Sequence, residues 1–110
     1  MNSYNVSVPI RVPTTPNDWQ LFSEEPGAAG AARKMTAALK RSFRVLDDAT
    51  KQGHTLDNAL VYTCFEDLRI AAQALVNWGA TDTEPRNVAC NAMQRYIKHR
   101  YGKDMWIECW

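Results

Sequence analysis

Apolar residues recur along most of this chain at the three- and four-residue spacing of a helix face, and the pattern predicts three long helices. From Ala32 to about Gln52, Met35, Leu39, Phe43 and Leu46 form one apolar stripe, which Gly53 ends. Thr55 is placed to cap a second helix from Leu56 to about Trp78, stopped by Gly79. At about 100° per residue its apolar positions cover more than half the circumference, so this helix is expected at the centre, covered on more than one side. The cluster Thr81-Asp82-Thr83-Glu84-Pro85 opens a third helix, which runs through Ala89, Cys90, Met93, Tyr96, Ile97 and Tyr101 to Gly102.

The ends follow other rules. Tyr4 to Val12 alternates apolar and polar side chains as a half-buried strand does, and Pro9 and Pro13 restrict it to an edge strand or an extended arm. Thr15-Pro16-Asn17-Asp18 starts a short helix through Trp19, Leu21 and Phe22, with Thr15 and Asp18 in capping-box positions. Ser23-Glu24-Glu25-Pro26 is a second start signal, but Gly27 and Gly30 behind it weaken a helix by about 1 kcal/mol each. Either the helix begins late or these small residues admit another part of the chain. The tail Met105 to Trp110 can form a strand against the N-terminal arm, provided helices cover the pair.

The expected fold is therefore mainly α: a three-helix bundle with a short extra N-terminal helix and extended terminal segments able to pair as a β ribbon. Residues 1–22 form the arm and short helix, residues 23–110 the bundle with its aromatic tail, and the whole is one domain. At 110 residues, 45% hydrophobic and 23% charged, such a chain can build a core without a metal or a disulfide. No apolar run approaches the roughly 20 residues of a membrane span, and the first residues lack the form of a secretion signal. The expectation is a cytoplasmic protein with no membrane partner. Three widely spaced cysteines fit a reducing compartment, with Cys64 and Cys90 on apolar faces as small hydrophobes and Cys109 near the end without an activating base.

Charge changes the picture more than composition does. The net charge is +1, yet Arg33, Lys34, Lys40, Arg41 and Arg44 occupy a stretch without an acid. Arg33, Lys40, Arg44 and Lys51 line up opposite the apolar stripe of the first helix as a cationic row. Pairing of Arg44 with Asp48 and of Asp47 with Lys51, each four residues apart, would partly neutralise it. On the third helix Asn87, Asn91, Gln94, Arg95 and Lys98 share a face whose amide and guanidinium groups are those that read base edges. Both faces are also what ordinary solvated helices carry.

Candidate chemistry is sparse. Asp67 falls within the apolar arc of the second helix, where a carboxylate has to be paired; Arg86 and Arg100 are the expected partners. His54 and His99 stand apart from each other and from cysteines or acids at ligand spacing, so no metal site is expected. The glycine pair before Arg33-Lys34 lacks the phosphate-loop pattern, and no nucleophile–base signature occurs, so neither a cofactor nor catalysis is expected. Trp19, Trp106 and Trp110 lie outside the long helices, as interface anchors or as closures of the core.

These features fit a small non-enzymatic binding protein, an adaptor or inhibitor of the kind mobile elements and phages carry as accessories. Its first expected partner is another protein, a second copy of itself included. A rival expectation is a nucleic-acid binder presenting the first and third helices together in the manner of a helix-turn-helix protein. A third is a small-anion or nucleotide site where cationic rows meet in an oligomer.

Overall fold

The computed structural model describes residues 12–20, 27–80 and 84–107. Among them the chain is mainly helical and contains no strand. The helices are α1 (Pro16–Gln20), α2 (Ala28–Lys51), α3 (Asn58–Thr63), α4 (Glu66–Asn77) and α5 (Glu84–Tyr101). None is long and apolar enough to cross a membrane.

The short helix α1 starts as its capping box requires: Asp18 Oδ2 accepts from the Thr15 backbone N–H at 3.1 Å and from its hydroxyl at 2.8 Å. One turn of helix has no stability of its own, so α1 depends on packing against α2 and on Trp19, which is fully buried. The tryptophan thus closes the core and is not available as an interface anchor.

Helix α2 begins at Ala28, four residues before the predicted start and with Gly30 inside it, and its apolar stripe is buried as the spacing predicts: Met35, Leu39, Phe43 and Leu46 all lie in the core. Gly27 precedes it for a local reason. A Cβ at this position would fall 2.3 Å from the Trp78 ring, so glycine makes room for the indole rather than for another backbone. The helix ends at Gly53, whose φ of 93° is left-handed and costs a residue with a Cβ about 1–2 kcal/mol.

The second predicted helix is two helices. Asp57, not Thr55, caps α3, its Oδ1 accepting from the Leu60 N–H at 2.9 Å. After Thr63 the chain tightens: the Cys64 N–H donates to the Val61 carbonyl and the Phe65 N–H to that of Tyr62, three residues back. The β-branched Val61 and Thr63 favour helix weakly, and α2 supplies a competing donor. The buried Ser42 hydroxyl lies 2.8 Å from the Cys64 carbonyl and 2.9 Å from that of Ala38. The turn places Cys64 and Phe65 in the core. Ser42→Ala should cost about 1–2 kcal/mol by leaving the Cys64 carbonyl unsatisfied, read as a lower denaturation midpoint. An unchanged midpoint would mean that the local sequence breaks the helix unaided.

Beyond the break, α4 buries Leu68, Ala71, Ala72 and Leu75 and packs against α2 and α5, but the central element is α2, which packs against α1, α4 and α5. Its outer side carries exposed Ile70 and Trp78, two residues counted into the predicted apolar arc. Helix α5 contributes Ala89, Cys90, Met93 and Ile97 to the core. Burial also raises the Cys64 thiol pKa, which keeps it protonated and unreactive.

The tail differs from the expected strand. Residues 102–107 form no regular element, and their anchors are the buried Ile107 side chain and its backbone N–H, which donates to Gln94 Oε1 at 2.9 Å. Residues 1–11, the start signal at 23–26, the cap residues 81–83, Cys109 and Trp110 lie outside the described residues.

Candidate functional site

The tail turns one predicted face into a groove. Because Ile107 points into the core, its neighbour Trp106 points out and is 78% exposed. Trp106, Met105 and Asp104 form one wall, and Asn91, Gln94, Arg95 and Lys98 of α5 form the other. The space between them is an open groove of about 500 Å³. Lys98 Nζ spans it at one end to Asp104 Oδ2 at 3.1 Å, and the Gln94 carbonyl holds the far wall through Ile107. Four of the five residues of the predicted α5 face thus meet one of the three predicted interface tryptophans; Asn87 is exposed on the same helix but does not line the groove. Spacing along α5 marks its four groove residues, whereas nothing in the sequence marks Met105 and Asp104 as their neighbours.

The cationic row of α2 is a separate surface. Arg33, Lys40, Arg44 and Lys51 are all exposed, and none meets an acid within ion-pair distance among the described residues. The expected neutralising pairs do not form. Asp47 turns to α5 instead, where its carboxylate accepts from the Tyr96 and Tyr101 hydroxyls and lies 3.7 Å from Arg100 Nε. Thr50 Oγ1 sits 3.0 Å from the Tyr101 hydroxyl, and Phe43 stacks on Tyr96 with ring centroids 4.0 Å apart. Burial works to raise the Asp47 pKa, but the bonds from Tyr101 and Tyr96 and the charges of Arg100 and Lys51 outweigh it and hold the carboxyl below its ordinary value. The same burial, with the carboxylate beside it, pushes Tyr96 up to about 12 and raises Tyr101. Two phenols held protonated and one acid held charged make a lock between helices, not a poised acid–base pair.

Around the axis of α5, Tyr96 and Arg100 stand roughly 100–180° from the groove residues. The groove opens on the side of α5 turned away from the buried Ala89 and Met93, with Tyr101, which also bonds Asp47, beside Gln94.

Asp67 is not buried. Its side chain is 54% exposed and pairs with Arg41 Nε of α2 at 3.0 Å, not with Arg86 or Arg100. The break after Thr63 explains the difference: within α4 alone, Asp67 falls on the shoulder of the buried face, beside α2. The pair sits in a smaller groove of about 220 Å³ with Lys34, Ala37, Ile70, Ala71 and Ala74. At that exposure it contributes well under about 1 kcal/mol. His54 and His99 are exposed, and no three metal-ligating side chains converge among the described residues.

Comparison with family models, with curated proteins and with solved structures finds no match.

Proposed function

We propose that this chain is a protein-binding module that seats a segment of its partner in the groove between α5 and the tail. The observation that carries this reading is Trp106, a large aromatic left 78% exposed at the lip of an open groove beside an exposed arginine. Tryptophan and arginine are among the side chains most enriched at the energetic centres of protein interfaces. Asn91 and Arg95 add donors, and Asn91 an acceptor, for the main chain of a bound segment. The bundle of α2, α4 and α5 serves as the rigid support, and the function is binding rather than catalysis.

Selection of a random peptide library against the folded protein tests the reading. Peptides that enrich should lose at least tenfold in affinity on Trp106→Ala and on Arg95→Glu, and keep it on Lys40→Glu. Trp106→Ala should leave the melting temperature unchanged, since an exposed side chain contributes little to stability. Peptides indifferent to Trp106→Ala would remove the groove from the proposal.

A further inference from the structure

We infer that the α2 row is a second, independent binding surface, and that it takes the phosphate backbone of a nucleic acid without reading sequence. Arg33, Lys40, Arg44 and Lys51 span about 27 Å of helix at about 1.5 Å per residue, on one line facing solvent. Helix α2 contains two acids, Asp47 and Asp48. Asp47 is taken out of the row by Tyr96 and Tyr101, and Asp48 does not reach Arg44. Arg41, the other nearby cation with an acid partner, is engaged with Asp67 off the row. A chain of net charge +1 thus keeps on a single edge four cations that lie beyond ion-pair distance of any described acid.

The surroundings of the row decide the kind of partner. A protein interface needs an apolar or aromatic centre and is poor in lysine; Met35, Leu39, Phe43 and Leu46 are buried on the far side, and the exposed Val45 stands about 100° round the helix from Arg44, off the row. An anionic membrane would hold an amphipathic helix by its apolar face, which here is committed to the core. A phosphate backbone asks only for cations at intervals along a straight edge, and returns free energy by releasing its counterions. The row carries none of the amides that distinguish base edges, so contacts end at the phosphates.

Fluorescence anisotropy with a labelled random-sequence DNA duplex tests this. The wild-type protein should bind in the range of about 1–100 μM at low salt, with a slope of log affinity against log salt of about −3 to −4, as four phosphate contacts require. Changing Arg33, Lys40, Arg44 and Lys51 together to Gln should weaken binding more than tenfold without moving the melting temperature, while Trp106→Ala leaves it intact. Should the fourfold variant not fold, each single change to Gln should lower the slope by about one. Affinity weaker than about 100 μM, a slope unmoved by these changes, or equal binding to polyglutamate or to phosphatidylserine vesicles would overturn the inference. Failure here leaves the groove untouched, because the two surfaces share no residue.

Discussion

Asp47→Ala is expected to destabilise the protein by about 2–4 kcal/mol at neutral pH, far beyond the usual effect of changing a polar residue at a helix surface. Its carboxylate is 22% exposed and receives two phenol hydroxyls from α5, each a hydrogen bond to a charged group worth about 1.5–3 kcal/mol. Removal also leaves Arg100 without its acid and two half-buried hydroxyls seeking water. Because the folded pKa of Asp47 lies below the unfolded value, its contribution is complete above about pH 4 and lost as pH falls through the folded pKa. Tyr96 acts at the other end of the scale: with its folded pKa raised to about 12, it stabilises below the ordinary phenol value and loses this as pH climbs towards 12. Urea denaturation of both proteins from pH 2 to pH 12 checks the pair. Parallel profiles for wild type and variant would show that the lock contributes nothing to stability.

Trp19→Ala should cost about 3–5 kcal/mol, the range for emptying a buried aromatic site. The side chain is fully buried, and α1 has five residues and no other large core residue among those described. Without it, α1 should come away from α2 and become the first site of limited proteolysis. Denaturation midpoint and cleavage mapping read the two effects. A variant of wild-type stability that has lost a partner would return Trp19 to the interface.

Legibility in the sequence followed the range of the signal. The stripe of α2 and the start of α1 rest on contacts within one or two turns, and both are where the spacing puts them. The break between α3 and α4 is met by a hydroxyl from α2, 22 residues away in sequence, which no local window contains. That one break also explains the misreading of Asp67, since a single projection from Leu56 to Trp78 carries the phase of α3 into α4. The charge rows were readable as rows, but their neutralisation was not. Asp47 and Lys51 have the spacing of a pair, yet two tyrosines about fifty residues further on compete for the acid and win by offering a drier, multiply bonded site. The α5 face was visible, whereas its conversion into a groove needed the tail beside it.

The far wall of that groove has neither a helix nor a strand to stiffen it; it is positioned by the hydrogen bond to Gln94, the Lys98–Asp104 ion pair, the Lys103 contact to the Leu56 carbonyl and the Ile107 side chain sunk in the core. Shape at the recognition surface and packing at the bottom of the fold are therefore a single equilibrium. On the proposed reading, a segment bound against Trp106 is coupled to the anchoring of Ile107, and each shifts the other by the same free energy. On that reading, affinity is tuned from inside the protein, at the buried Ile107.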